Sequence, residues 1–171
     1  MKILITGAAA SGKTTLCRKL NQAGYKAFDD STDIKGIGAL YDQQGKEVSA
    51  KVFNKPGFNW NDYRWDWNLQ KLEQYLHSSN LVFICGFSQQ IDSRAKQYFD
   101  KVILLDAPSS VRNERLDTRE LKGYGYKTDE RKVVFNDSSR LLVLAQTNGW
   151  EIIDSSQSVT AIKNQIIDYA N

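Results

Sequence analysis

The sequence predicts an α/β fold in which helices cover both faces of a five-stranded parallel sheet. Two observations lead to this fold class. Apolar runs of four to six residues alternate along the chain with amphipathic stretches, as in βαβ units. A glycine-rich turn also joins the first apolar run directly to the first amphipathic stretch. At 171 residues the chain has the length of one compact domain, so we interpret residues 1–171 as a single domain.

The predicted strands are the short apolar runs. The first run enters the glycine-rich turn, and the second ends at Asp29 and Asp30. In chain order the predicted strands are Lys2–Thr6, Tyr25–Phe28, Leu81–Cys85, Lys101–Leu105 and Trp150–Ile153.

The predicted helices fill the intervals between these strands. Leu16 and Leu20 share one face of the first helix, and Gly24 is suited to end it. The second helix has leucines spaced for one face as well. In chain order the predicted helices are Lys13–Ala23, Asn68–Leu76 and the ranges 90–98, 109–118, 129–147 and 158–170.

Two segments interrupt this alternation. Residues 34–64 are rich in Gly and Pro and contain a predicted hairpin that turns through Asp42–Lys46. Residues 119–128 are polar and hold two glycines among tyrosines. Because long irregular segments in a compact domain are usually functional loops, we interpret 34–64 as an insert and 119–128 as a lid.

The turn after the first strand matches the phosphate-loop pattern G-x-x-x-x-G-K-[ST], between a strand and a helix as that motif requires. Its glycines allow backbone N–H groups to point at phosphate oxygens, and the following helix adds its positive end. Lys13 should reach the β- and γ-phosphates, and the Thr14 hydroxyl should bind Mg²⁺. The motif therefore predicts a three-layer P-loop NTPase fold that binds ATP with Mg²⁺. The predicted nucleotide-binding residues here are Gly7, Ala8, Ala9, Ala10, Ser11, Gly12, Lys13, Thr14 and Thr15.

Other motifs argue against a hydrolase or a switch protein. Motor ATPases usually end a neighbouring strand with an acid that holds magnesium, whereas the third strand here runs into Gly86. The D-x-x-G pattern of GTPases occurs at Asp42–Gly45, but in a polar turn. Asn54–Gly57 lacks the aspartate of the guanine-binding motif N-K-x-D.

The region after the fourth strand favours a kinase. The strand is followed by a predicted helix that ends in R-L-x-x-R, from Arg115 to Arg119. Here the sequence resembles the small P-loop kinases, in particular adenylate kinase and shikimate kinase, in which this helix precedes a mobile lid. The resemblance implies that Arg115 lies against the adenine ring and that Arg119 contacts the transferring phosphoryl group. Alternatively, each is a solvated arginine that pairs with a neighbouring acid such as Glu114 or Asp117.

Three aspartates follow the second strand, and phosphoryl transfer to an alcohol needs a carboxylate that deprotonates the hydroxyl. Shikimate-kinase-like enzymes place acids here that meet magnesium-bound water and the acceptor. On that resemblance we interpret Asp33 as the catalytic base and Asp30 as an outer-shell magnesium partner. Asp29 is interpreted as a turn or cap residue. If Ser31 and Thr32 cap a helix instead, Asp33 is merely an acid of its first turn.

The segment after the third strand departs from the adenylate kinase pattern D-G-F-P-R. Cys85 stands in place of the aspartate and Gln89 in place of the arginine that clamps an acceptor phosphate. An amide binds hydroxyls or base edges but supplies no charge, so a nucleoside or another neutral alcohol is at least as well favoured as a nucleotide. Arg64 or Arg94 would restore the missing charge. The predicted substrate-binding residues are Asp33, Arg64, Gly86, Gln89 and Gln90.

An aromatic cluster comes just before this region, with Trp60, Tyr63, Trp65 and Trp67 in eight residues. These rings either sandwich a base or sugar in the acceptor pocket or form the core of the insert. The W-D-W pattern, together with the third strand and the start of the fourth, is also similar to small ATP-binding proteins grouped with nucleoside or shikimate kinases by their fold.

Composition narrows the choice of partners. Basic residues number 23 against 20 acidic ones and are interleaved with them, which disfavours nucleic acid. The apolar runs are far shorter than the ~20 residues of a membrane helix, and no signal peptide begins the chain, so we expect a cytoplasmic protein without a membrane partner. Cys17 and Cys85 are interpreted as reduced structural thiols. The sequence indicates no oligomeric state.

Taken together, the motifs predict an ATP-dependent phosphotransferase that transfers the γ-phosphoryl group to a small hydroxyl or phosphate acceptor, with a nucleoside or nucleotide favoured. Lys13, Asp33 and Arg119 are its predicted catalytic residues. Two other classes stay open: a non-catalytic or regulatory ATP-binding protein, and a polynucleotide-end kinase.

Overall fold

The computed structural model describes residues 1–49, 51–52, 58–118, 124–125 and 127–170. Its strands are β1 (Lys2–Thr6), β2 (Lys26–Asp29), β3 (Gly38–Asp42), β4 (Glu47–Val48), β5 (Tyr63–Trp67), β6 (Val82–Cys85), β7 (Lys101–Asp106) and β8 (Glu151–Asp154). Its α-helices are α1 (Lys13–Gln22), α2 (Leu69–Leu76), α3 (Gln89–Tyr98), α4 (Ser109–Thr118), α5 (Thr128–Asn148) and α6 (Val159–Ala170).

The predicted parallel sheet of five strands is confirmed, with the order β2-β6-β1-β7-β8. β1 lies at its centre, since Ile3 is in register with Phe83 on one side and with Lys101 on the other. Successive side chains of β1 point to opposite faces. Ile3 and Ile5 pack with α1 and α6, whereas Leu4 packs with α2, α3 and α5. Helices therefore cover both faces of the sheet, and the carboxyl ends of its strands form the edge that carries the phosphate loop.

The predicted hairpin of the insert belongs to a second sheet, whose third strand, β5, the sequence interpretation missed. β3 pairs antiparallel with β4 and with β5, in the order β4-β3-β5. Gly38 is a residue typical of a loop, but it lies in β3. The sheet requires a glycine there, because a Cβ atom would come within 2.0 Å of the Trp65 ring. The hairpin predicted through Asp42–Lys46 is confirmed: the Asp42 N–H donates to the Lys46 carbonyl at 3.0 Å.

The predicted boundaries of the other strands and helices agree with the structure to within one residue. Most of the predicted lid, including Arg119, lies outside the described residues. Cys17 and Cys85 are buried free thiols in the core, as predicted. Among the residues described, we find no helix with the length and apolar composition needed to cross a membrane.

Candidate active site

The phosphate loop follows β1 and leads into α1 at Gly12. Gly12 has a φ of 97° and Ala10 a φ of 63°, so the chain turns tightly here. Gly7 has no room for a side chain, since a Cβ atom would lie 2.6 Å from the Leu105 carbonyl oxygen. Because Gly12 also has no side chain that caps α1, the first N–H groups of the helix are available to an anion. This is the cradle that the motif predicts.

Lys13 folds back over the loop. Its Nζ donates to the carbonyl oxygens of Gly7 at 2.6 Å and Ala8 at 3.1 Å. Burial lowers the pKa of Lys13, while the nearby carboxylates of Asp30 and Asp29 act in the opposite direction. The lysine therefore lies between the loop and the acids that follow β2.

Thr14 lines a cavity of about 400 Å³ between α1 and the turn after β2, together with Asp29, Asp33 and Cys17. The Thr14 side chain is half-buried, whereas the adjacent Thr15 is exposed. Of the two threonines, Thr14 is therefore the one that shares a cavity with carboxylates.

Arg115 joins the loop to the other side of the sheet. Its Nη1 donates to the Ala10 carbonyl at 3.2 Å, and its Nη2 donates to the Ser155 carbonyl at 2.6 Å. Asp117, the alternative partner, instead pairs with Arg131 at 2.5 Å. Arg115 is thus held against the loop and the turn after β8, rather than by the acids beside it.

The acids after β2 have different surroundings. Asp29 is buried, and its Oδ1 accepts from the backbone N–H groups of Ser31 at 2.9 Å and Thr32 at 3.2 Å, which confirms a turn-capping role. Asp33 is exposed; its Oδ2 accepts from the Asp29 N–H at 2.8 Å and its Oδ1 accepts from the Thr32 hydroxyl at 3.1 Å. Turns rather than a helix follow β2, so Asp33 is not an acid of a helix's first turn.

Asp30 points the other way, toward β5 and β6. Its Oδ2 accepts from the indole Nε1 of Trp67 at 3.1 Å and from the Phe87 N–H at 3.0 Å. Burial raises the pKa of Asp30 to about 6, although the Phe87 N–H and the charge of Lys13 lower it. A Cβ atom on Gly86 would lie 2.5 Å from the Asp30 Cγ, so a glycine is required where this carboxyl group packs. Gly86 therefore positions Asp30.

The start of α3 is organised by β5. Ser88 caps α3, because its hydroxyl accepts from the Ile91 N–H at 3.3 Å. The buried Asp66 accepts from the Gln90 N–H at 2.6 Å. The side chains of Gln89 and Gln90 are half-buried beside this junction. Asp66 thus has a structural role that the sequence interpretation did not assign.

The two arginines proposed from sequence as a source of charge lie in different surroundings. Arg64 pairs with Asp66 at 2.7 Å and lies over the Tyr41 ring, with 54% of its side chain exposed. Arg94 is exposed on α3. Arg140, which the sequence interpretation overlooked, lies instead over the ring of Phe87, with 5.7 Å between the guanidinium carbon and the ring centroid. Its position on α5 matches no motif, so a single sequence offers no signal for it.

The aromatic cluster is divided between three environments. Trp67 is a core residue with 2% of its surface exposed, whereas Trp65 is 37% exposed on the small sheet. Trp60 makes an edge contact with Tyr124 of the predicted lid, with the ring centroids 4.9 Å apart. The cluster is therefore not a single binding surface.

The phosphate loop and the strand order define a P-loop nucleotide-binding protein. The family model described as "AAA domain" matches residues 3–133, and the chain belongs to that family. No curated protein matches the sequence.

Solved structures share the fold at low identity. A shikimate kinase from Acinetobacter baumannii in complex with shikimate has a TM-score of 0.64 at 15% identity, covering 99% of this chain and 92% of the other. A deoxyadenosine kinase from M. mycoides with bound dATP has a TM-score of 0.56 at 16% identity, covering all of both chains. A gluconokinase from Sinorhizobium meliloti 1021 has a TM-score of 0.55 at 13% identity, covering 95% of this chain and 87% of the other.

Proposed function

We propose that the protein is an ATP-dependent phosphotransferase that moves the γ-phosphoryl group to a small acceptor, with a nucleoside or nucleotide favoured. The observation that carries the proposal is the position of Asp30. A half-buried carboxyl group within the field of the phosphate-loop lysine is suited to receive a proton from a hydroxyl group. The folds of the shikimate, deoxyadenosine and gluconate kinases named above support the same reaction class.

On the nucleotide side, the loop residues from Gly7 to Thr14 bind the phosphates of ATP, and Arg115 lies on the side of the adenine. Lys13 exchanges its bonds to the Gly7 and Ala8 carbonyls for the β- and γ-phosphates. Arg119, which lies outside the described residues, is proposed to stabilise the transferring group, as its motif implies.

Magnesium fits the oxygen donors at the loop. Thr14 supplies a hydroxyl, and the cavity that it lines also carries the Asp33 carboxylate. Among the described residues no group of three or more His, Cys, Asp or Glu side chains is arranged to hold a metal. A Mg²⁺ ion bound mainly through substrate phosphates and water suits such a sparse donor set, and it would neutralise phosphate charge when bound.

The surroundings of the two acids favour an exchange of the roles that sequence alone suggested. Asp33 shares its cavity with Thr14, on the α1 side, which suits a magnesium partner. Asp30 faces β5 and β6, where the predicted acceptor residues Gly86 and Gln89 lie. We therefore assign Asp30 to the acceptor hydroxyl and Asp33 to the metal side.

In the proposed step, the Asp30 carboxylate accepts the proton of the acceptor hydroxyl. The hydroxyl oxygen then bonds to the γ-phosphorus as the bond to the β-phosphate oxygen breaks, so that ADP leaves. Lys13 holds the charge that develops on the phosphate oxygens.

The test is ADP release from Mg·ATP in the presence of single nucleosides, nucleotides and sugars. A phosphotransferase releases ADP faster with its acceptor than without it, and the acceptor gains one phosphoryl group by mass spectrometry. If ATP binds tightly but none of these acceptors raises ADP release, the protein is an ATP-binding protein without transferase activity and the proposal fails.

A further inference from the structure

Arg140, Asp92 and Asp137 form a charged group that we call the Arg140 cluster. Arg140 is on α5, and its Nη2 lies 3.2 Å from Oδ2 of Asp92 on α3. The same nitrogen is 3.8 Å from Oδ1 of Asp137, one turn earlier on α5. The cluster thus joins two helices with two carboxylates and one guanidinium group.

Asp92 has no evident task in the fold apart from holding Arg140. Its side chain is fully buried, and its Oδ1 has no hydrogen-bond partner among the described residues. Burial raises the pKa of Asp92 to about 7, which Arg140 opposes. The N-terminus of α3 is already capped by Ser88, so Asp92 is not needed there. A buried carboxyl group with an unpaired oxygen costs folding free energy, so its presence calls for an explanation such as a functional role.

The cluster lies beside the proposed reaction centre. Arg140 packs over the ring of Phe87, and the backbone N–H of Phe87 donates to Asp30. The charge of Lys13 also reaches the cluster. Burial raises the pKa of Asp137 and contributes most to the raised pKa of Asp92, while Lys13 is among the charges that lower both values. The phosphate-loop lysine, Asp30 and the cluster therefore share one polar region.

Among the residues that the structure describes, the charge balance of this region disfavours a phosphate on the acceptor. A phosphate clamp needs unpaired positive charge, but Arg140 already faces two carboxylates. Gln89 supplies no charge, Arg64 pairs with Asp66, and Arg94 is exposed on α3. The cluster instead offers carboxylate oxygens, which bind N–H and O–H donors.

We infer that the acceptor is an unphosphorylated alcohol that carries N–H or O–H donors, such as a nucleoside with an exocyclic amino group, and that Asp137 binds one of these donors. This inference rests on the proposed phosphotransferase activity. Arg140 and Asp137 are within reach of a ligand, since their side chains are 39% and 14% exposed. Asp92, which is fully buried, is a positioning residue that acts through Arg140.

The experiment compares nucleosides with their own 5′-monophosphates and with the carboxylates shikimate and gluconate, as acceptors for the unmodified protein. We expect kcat/KM for an amino-bearing nucleoside to exceed that of its monophosphate by about tenfold or more, because a buried like-charge contact costs at least that much. A monophosphate or carboxylate that is the better acceptor overturns the inference and leaves the proposed function standing. If no compound stimulates ADP release, the proposed function fails, and the inference fails with it.

Variants test whether Asp137 binds an N–H or O–H donor of the acceptor. Asp137→Asn is expected to raise the acceptor KM roughly 10- to 100-fold with the ATP KM unchanged, because a charge-assisted hydrogen bond is lost. Asp92→Asn should raise the acceptor KM with less effect on kcat, a split that a general loss of folding does not produce. Asp168→Asn removes the same charge from an exposed position on α6 and is the matched control, with both KM values unchanged. An unchanged acceptor KM in Asp137→Asn contradicts the assignment.

Discussion

The two halves of the candidate site are built in different ways. The nucleotide half is local: Lys13 bonds to carbonyl groups five and six positions before it in the chain. The acceptor half is assembled from distant segments, since Asp30 bonds to Trp67 and Phe87, which are 37 and 57 positions away. Asp92 and Arg140 are 48 positions apart.

This difference has a functional meaning. One uninterrupted segment forms the phosphate loop that P-loop proteins have in common. Its sequence motif is therefore shared by proteins with different acceptors. The acceptor half draws on the turn after β2, on β5, on the end of β6 and on α3 and α5. Substitutions in any of these elements can change the acceptor without disturbing the loop. Single substitutions in each half test that independence, from the largest expected effect to the smallest.

Lys13→Ala should impair the function of the nucleotide half and leave the acceptor half intact. We expect the rate of phosphoryl transfer to fall by ~10³-fold. The lost positive charge stabilises the negative charge that develops on the phosphate oxygens. The thermal unfolding transition should stay close to that of the unmodified protein. Lys96→Ala, on the exposed face of α3, is the control and should retain full activity. Turnover retained in Lys13→Ala rules out the assigned role.

Asp30→Asn should disable the acceptor half alone. We expect kcat to fall by about 10²-fold, because a positioned base is removed, while ATP affinity changes little. Since the pKa of Asp30 is raised to about 6 and the base must be ionised, the rate of the unmodified protein should fall as the pH drops through 6. We call this fall the acidic limb of the pH–rate profile. The residual rate of Asp30→Asn should lack it.

Asp33→Asn is the matched comparison for Asp30→Asn, because both remove one carboxylate from the same turn. We expect it to raise the Mg²⁺ concentration required for half-maximal rate and to keep the acidic limb. If Asp33→Asn removes the limb and Asp30→Asn keeps it, the two assignments must be exchanged.

Trp67→Phe tests the long-range contact with a smaller change. The indole N–H is one of the interactions that lower the pKa of Asp30, so its removal should move the acidic limb to higher pH. The loss of one hydrogen bond to a carboxylate should also cost about 1 to 3 kcal/mol of unfolding free energy, measured by urea titration. An unmoved acidic limb contradicts the link between Trp67 and the base.

Gly38→Ala should lower the free energy of unfolding and should have the smallest effect on phosphoryl transfer. A Cβ atom here would come within 2.0 Å of the Trp65 ring, so the ring must move, at a cost of about 1 to 3 kcal/mol. The KM for ATP should be unchanged, since no described residue that lines the cavity beside Thr14 belongs to the small sheet. A raised KM for ATP in this variant indicates that the two halves are coupled.

Much of the fold follows from sequence because its elements depend on local patterns. Apolar runs of the right length predict the five parallel strands, and leucines at helical spacing predict α1 and α2. The hairpin of the small sheet was predicted, but its third strand was missed because the local signals conflict. Gly38 is typical of a loop, and β5 reads as an aromatic cluster until β3 is placed beside it.

The candidate site also has one part that local sequence predicts and one part that depends on distant segments. The motif at residues 7–14 predicts the phosphate loop, because backbone geometry and the residues that allow it are neighbours in the chain. Three aspartates after β2 were visible as candidates, but their roles were not. Which of them caps the turn, lines the α1 cavity or faces β6 depends on partners such as Trp67 and Phe87.

The sequence by itself determined that this protein has a parallel α/β sheet and a loop for nucleotide phosphates. Both depend on interactions between residues a few positions apart. Only the tertiary structure decided that Asp30 accepts a hydrogen bond from Phe87, that Arg64 is bound to Asp66, and that Arg140 lies beside Phe87. The physical reason is that hydrogen bonds, ion pairs and burial between distant segments set the charge and direction of each side chain, and these form only when the sheet brings those segments together.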